Sequence, residues 1–206
     1  MTEELSFDLS RVYGARNLDE LRTEYDRVAS VYDGDGWAWL GPEMIIEVTR
    51  RWVARDSLIL DAGAGTGQLG VGLRDAGYTR IDAMDLSAGM LGVAREKGVY
   101  GNLREGRLGG PLDYVDGAYD AVVASGVFTT GHAPPEGLRE LTRITRAGGH
   151  VIFTLRSDAT PPGFAGLTAQ LDEEGAWTLA ERGVEVAAMP QTAPEVRLRA
   201  WVYAVS

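Results

Sequence analysis

The stretch LDAGAGTGQLG, residues 60–70, holds the residues whose types and spacing point most directly to chemistry. An acid, Asp61, precedes Gly63, Gly65 and Gly67, and Gly70 follows. Glycine lets the backbone approach a ligand closely and adopt positive φ. A helix N-terminus behind such a turn offers free N–H groups to negative oxygens. The turn is therefore a cradle for a nucleotide cofactor. Gly65, Gly67 and Gly70 fit the G-x-G-x-x-G spacing of dinucleotide sites, with the acid Asp85 downstream. Three features favour S-adenosylmethionine instead. Asp61 suits a cationic amino-acid tail and would sit badly beside a pyrophosphate. Asp85 is followed by LSAGML, which places Met90 one helical turn in, against a flat base. The pattern after the fifth strand runs to two further strands, not to a second domain for a hydride acceptor.

Few residues offer acid–base chemistry. The histidines are His132 and His150. His150 opens a buried strand and reads as structural. His132 lies in FTTGHAPP, after the strongest strand, at the sheet edge where open α/β folds place their sites. It is a candidate catalytic base; alternatively it caps the helix beginning near Pro134 or fixes the loop. The segment YDGDGWAWLGP sets Tyr32, Trp37 and Trp39 among glycines and acids. Either the tryptophans dock onto the N-terminal helices, or they cover an apolar or aromatic small-molecule acceptor. The loop 126–133, the segment 32–41 and the region 160–178 are the expected walls of that acceptor pocket.

The elements that must position these groups alternate. SLIL (57–60), RIDAMD (80–85), NLREGRL (102–108), YDAVVASGVF (119–128) and HVIFTLR (150–156) read as strands. Helical patterns fill 68–78, 87–98 with Ser87 as N-cap, and 134–149, which opens on prolines and closes on a glycine pair. Before this core, 17–31 and 42–54 suit helices. After it, 167–183 is helical in its first half, and GVEVAAMP and VRLRAWVYAVS form two last strands around a turn at Pro190 and Pro194. The β-α-β-α order predicts an α/β fold with a mostly parallel sheet. The expected form is a Rossmann-like doubly wound sheet of about seven strands, with an antiparallel C-terminal strand pair and an N-terminal helical lid. One domain is expected over 1–206: a lid in 1–41, a cofactor-binding core in 42–156, and a C-terminal helix and strands in 157–206.

Composition narrows the classes. The chain has 206 residues, no cysteine and a formal net charge of −10. Disulfides and thiolate metal sites are excluded, and no metal is expected. Phosphate backbones and anionic lipid would repel so acidic a chain, so neither nucleic acid nor membrane is an expected partner. MTEELSFD carries no apolar h-region, and a cytoplasmic location is expected. A short-chain reductase would need Tyr-x-x-x-Lys after the fourth strand, yet the only lysine is Lys97.

ILDAGAGTG, IDAMDLSAGML, YDAVVASGVF and GGHVIF together resemble the class I S-adenosylmethionine-dependent methyltransferases. MLGVAREKGVY, the step near Pro111 and FTTGHAPPEGLREL look most like the Williams–Beuren-region methyltransferase-like group. The resemblance implies methyl transfer from S-adenosylmethionine to a small-molecule acceptor, with S-adenosylhomocysteine as product. The alternatives are a cofactor-binding relative that has lost methyl transfer or uses the fold for other chemistry, and a protein or RNA methyltransferase, the charge arguing against RNA. The resemblance also implies roles. Gly63, Ala64 and Gly65 would approach the methionine moiety, and Asp61 would receive its ammonium. Asp85 would accept from both ribose hydroxyls. Leu86 and Met90 would cover the adenine, and Ser125 joins the cofactor set. Tyr25 and Tyr32, seven apart on one helical face, would close over the methionine end, with a hinge at Gly34–Gly36. Arg107 stands where such families commonly carry an acid for the adenine amino group, with Leu108 beside it. Either the backbone reads the adenine there, or Glu105 or Asp113 substitutes.

Overall fold

A computed structural model describes residues 11–12, 14–34 and 39–206. The centre of the chain is a sheet in the order β3-β2-β1-β4-β5-β8-β6, with β7 also paired to β8. Strands β1 (Leu58–Ala62), β2 (Arg80–Asp85), β3 (Leu103–Glu105), β4 (Tyr119–Phe128) and β5 (Thr145–Arg156) run parallel. β8 (Ala193–Val205) lies antiparallel to β5, and pairs antiparallel with both β6 (Trp177–Arg182) and β7 (Val186–Met189).

Helices cover both faces, which is why β4 and β5 read as unbroken apolar runs and not as alternating ones. On one face α5 (Gly137–Ile144) and α6 (Phe164–Glu173) bring Leu138, Leu141, Phe164 and Leu171 onto Leu60, Val122 and Phe153. On the other, α2 (Gly41–Trp52) and α3 (Gln68–Asp75) bring Ile45, Val48 and Leu73 onto Ile59, Val123 and Ile152. α4 (Ala88–Glu96) starts at Ser87, whose hydroxyl accepts from the Met90 N–H, the capping expected of that residue.

The N-terminal helix α1 (Leu18–Val28) is capped by Asn17 and passes into a 3-10 turn, Ala29–Val31. Tyr25 and Tyr32 are therefore not on one continuous α-helix. Their rings still meet edge-on, with centroids 6.3 Å apart.

The sheet has eight strands where about seven were expected, β6 occupying the stretch that sequence left unassigned after the α6 pattern. Two further expectations need correction. The helix expected over 134–149 stops at Ile144, and β5 already begins at Thr145. The glycine pair is thus no helix stop but an irregularity inside β5, where pairing to β4 jumps from Thr145 to His150. Gly148 there has φ +71, which only glycine adopts cheaply. His150 lies in that strand beside Trp52, with ring centroids 5.5 Å apart.

Candidate active site

The parallel strands all end at one edge, and the glycine turn after β1 lies there. Gly63 has φ +86, and a Cβ on it would come within 2.3 Å of Val127 Cγ2. A Cβ on Gly65 would meet nothing within 4 Å, because that side faces open space. The space is a cavity of about 740 Å³, part of it open to solvent. Tyr25, Tyr32, Gly63, Gly65, Asp85, Leu86, Met90, Arg107, Leu108, Ser125 and His132 all line it. Asp61 and Ala64 lie behind the wall. Ala64 packs with Ala83 and Leu91.

Asp85 ends β2, and its carboxylate is fixed from two sides. Gly65 N–H donates to Oδ2 at 2.8 Å and Ser87 N–H to Oδ1 at 2.9 Å. A carboxylate has about four acceptor sites, so both oxygens can still accept from a diol. Burial pushes this carboxyl up, against the backbone N–H groups that hold it down.

Asp61 is 1% exposed. Its Oδ2 accepts from the Tyr100 hydroxyl at 2.7 Å, while Oδ1 is buried with no hydrogen-bond partner. Burial drives its pKa up to about 7, against the Tyr100 hydrogen bond. The register pairs Asp61 with Val123, so Ser125, two residues further along β4, lies on the same sheet face. Ser125 Oγ is also buried without a partner. Two orphaned polar atoms, one an acceptor and one a hydroxyl, thus stand on neighbouring strands. A zwitterionic amino-acid tail would satisfy both.

At the other end of the cavity, Met90 and Leu108 are buried and Arg107 is exposed on the rim. Glu105 and Asp113 line an adjoining open groove instead. The Asp113 side chain is fully exposed, 3.7 Å from Arg104. Neither acid lines the first cavity.

The N-terminal segment is bolted down by two carboxylates that sequence reasoning missed. Asp26 accepts from Ser87 Oγ at 2.6 Å and Gly89 N–H at 2.8 Å. Asp33 accepts from Thr66 Oγ1, Gln68 Nε2 and Lys97 Nζ. Burial pushes Asp33 up, but the bonds from Lys97, Thr66 and Gln68 outweigh it and hold the carboxyl below its ordinary range. Acids in YDRVASVYD next to tyrosines were the available signal. Their partners lie 61 and 33 residues away, beyond any local pattern.

His132 meets Tyr25 across the cavity mouth, Nε2 to hydroxyl, at 2.9 Å. It does not cap α5, which begins five residues later with Glu136 at the N-cap. Burial lowers its pKa; a hydrogen bond to the Thr130 backbone raises it, and the charge of Arg156 lowers it again.

Beyond this pair a second chamber opens, about 750 Å³ counting the part that is open solvent, sharing Tyr25, Tyr32, Ser125 and His132 with the first. Its outer walls are Trp39, Phe128, Thr154, Arg156, Met189 and Leu198. Trp39 packs with Met44 and Leu198, and it faces the chamber. Trp37 and Gly36 lie outside the described residues. The region 160–178 contributes no wall; Phe164, Leu171 and Trp177 belong to the core on the opposite face. β5, β7 and β8 supply the walls expected from it.

Among the described residues no group of acids and histidines could hold a metal ion, and no helix is long and apolar enough to cross a membrane. Residues 60–153 match the family model described as "Methyltransferase domain". The chain is 32% identical over 160 residues to human methyltransferase-like protein 27, covering 73% of this chain. It is 29% identical over 161 residues to demethylmenaquinone methyltransferase of Renibacterium salmoninarum, covering 74% of this chain. The chain spans 65% of the length of each of these two relatives. Among solved structures, the [4+2]-cyclase SpnF superposes with a TM-score of 0.71, covering 93% of this chain and 97% of that one. At 15% identity that likeness concerns the fold alone.

Proposed function

We propose that this chain, which belongs to the class I S-adenosylmethionine-dependent methyltransferases, moves a methyl group from S-adenosylmethionine to a small-molecule acceptor. The observation that carries this reading is the pair of orphaned atoms, Asp61 Oδ1 and Ser125 Oγ, beside a glycine turn open to the cavity. They fit the ammonium and carboxylate of the methionine moiety. Asp85, already oriented by Gly65 and Ser87, fits the ribose hydroxyls. Leu86, Met90 and Leu108 fit the faces of the adenine, and the backbone at Arg107 and Leu108 reads its edge.

When bound, S-adenosylmethionine supplies a methyl already activated on a sulfonium. The chain's residues then have to align the acceptor and exclude water, an effect worth roughly 7–11 kcal/mol in well-oriented reactions. Tyr25 and Tyr32 place aromatic rings over the methionine end of the cavity, where they attract a cation. His132, at the boundary with the second chamber, takes a proton where the acceptor must lose one, an effect of about 10²–10⁴-fold. We read the acceptor as a small apolar or aromatic molecule in that chamber. The net charge of −10 speaks against nucleic acid. A cytoplasmic place and a single domain over the whole chain belong to the same reading.

Calorimetry with S-adenosylmethionine, S-adenosylhomocysteine and NADH tests the cofactor. Tight binding of NADH and none of S-adenosylmethionine would overturn the proposal. Label transfer from S-adenosylmethionine into a metabolite extract, followed by mass spectrometry, then identifies the acceptor.

A further inference from the structure

His132 Nε2 is not open to an acceptor directly, because the Tyr25 hydroxyl occupies it at 2.9 Å. A neutral imidazole carries one proton. In the tautomer that carries this proton on Nδ1, Nε2 accepts from the phenol. Any proton that reaches Nε2 from the second chamber must therefore pass through Tyr25. The two rings also touch edge-on, with centroids 5.9 Å apart, and both residues border the cofactor cavity and the second chamber. They stand where acceptor and methyl donor would meet.

We propose, on the reading that S-adenosylmethionine fills the first cavity, that the second chamber takes a planar O–H acid, a phenol or enol, and that Tyr25 relays its proton to His132. The acceptor O–H proton moves to Tyr25 Oη as the phenol proton moves to Nε2. Tyr25 ends neutral and His132 ends as imidazolium. The electron pair left on the acceptor oxygen forms the bond to the methyl carbon, and the carbon–sulfur bond breaks onto sulfur.

The surroundings favour this class of acceptor. A sulfide or tertiary amine has no proton to lose and would leave the relay idle. Trp39, Tyr32 and Phe128 offer flat apolar walls. Among the described residues no carboxylate lines the chamber, while the cation Arg156 does, ion-paired with Asp158 beyond it. An oxyanion forming there meets the guanidinium of Arg156. Facing His132 are Tyr25 from α1 and Arg156 from β5. Burial and that cation keep the imidazole neutral, and so able to accept, at neutral pH.

The test needs no turnover. 4-Nitrophenol is titrated into the complex with S-adenosylhomocysteine, about one pH unit below the phenol's own pKa, where about nine tenths of the free ligand is neutral. The phenolate absorption band reports the ionisation of the bound molecule, and calorimetry reports its affinity. Wild type should raise the ratio of phenolate to phenol at least tenfold over free solution. Tyr25→Phe, which keeps the ring, should bind S-adenosylhomocysteine within threefold of wild type yet return the bound phenol to the solution ratio. His132→Gln, changed at the other end of the same bond, should do likewise. A bound phenol that stays neutral in wild type would overturn the relay, as would one equally ionised in Tyr25→Phe. Binding of S-adenosylhomocysteine without any binding of 4-nitrophenol would overturn the acceptor class. Failure of S-adenosylhomocysteine itself to bind would instead overturn the cofactor reading, and the relay with it.

Discussion

Binding of the cofactor should expel a proton from Asp61, and the size of that release follows from where the carboxyl sits. Its pKa is driven up to about 7 by burial, the Tyr100 hydroxyl notwithstanding. Without ligand, the side chain is therefore about half protonated at pH 7 and nearly fully protonated at about pH 6. An ammonium brought against Oδ1 favours the ionised form and returns the carboxyl toward its ordinary range. Binding at pH 7 then releases about half a proton, rising toward about one at pH 6 and vanishing above about pH 8.5. Calorimetry of S-adenosylhomocysteine in two buffers of different ionisation enthalpy measures this number directly. Asp61→Asn should abolish it. The same carboxyl shapes stability. Its folded pKa lies above its unfolded value, so between about pH 4 and pH 7 the folded state holds a proton that the unfolded chain has lost. Stability of the ligand-free protein should fall as pH rises through that window and level off above it, the total loss being about 4 kcal/mol from this site alone. Identical binding enthalpies in the two buffers at pH 6, after correction for dilution, would refute the placement of a cation beside Asp61.

Other perturbations read the rest of the site. Asp85→Ala should weaken S-adenosylhomocysteine at least tenfold, since two charge-assisted bonds of about 1.5–3 kcal/mol each are lost; Asp85→Asn should lose less, because its one carbonyl oxygen can still accept from either Gly65 N–H or Ser87 N–H, though not both, and equal losses would show that the remaining bond does not matter. Gly63→Ala forces φ +86 on a residue with a Cβ 2.3 Å from Val127 Cγ2, and should cost roughly 1–3 kcal/mol in denaturant unfolding, part of it recovered in Gly63→Ala/Val127→Ala. Asp33→Asn loosens three bonds to the lid, and amide exchange across 17–33 should quicken in the ligand-free protein and slow again with S-adenosylhomocysteine; equal protection with and without ligand would reduce the segment to ordinary core.

The sequence showed the sheet and the cofactor end of the site for one reason: both rest on short-range pattern. β2 and β4 are short stretches rich in buried residues whose ends coincide with the pattern's ends. Gly63, Gly65 and Asp85 converge because a strand, a turn and the next strand leave no other arrangement. Where partners are distant in the chain, local pattern was silent. β6 is held by its neighbour β8, with Leu179 half exposed on its surface, so its alternation is weak and its residues resemble the tail of a helix. The glycine pair at 148–149 looked like a helix stop because glycine serves a C-cap and a kinked strand equally well. The acceptor end is harder still. Thr154, Arg156, Met189 and Leu198 come from three strands and carry no motif, and only the antiparallel return of β8 and β7 brings them beside Trp39. The same logic separates what the family shares from what this chain decides for itself. The cofactor cavity is built from a contiguous stretch, 60–133, and from the lid. The second chamber takes Thr154, Arg156, Met189 and Leu198 from β5, β7 and β8, where register chooses which side chains face inward. A one-residue slip between β5 and β8 would turn Leu198 out of the chamber and leave every glycine contact in place. On the proposed reading, acceptor choice can therefore change while the methyl donor's site stays as it is, with Tyr25 and His132 bordering both chambers.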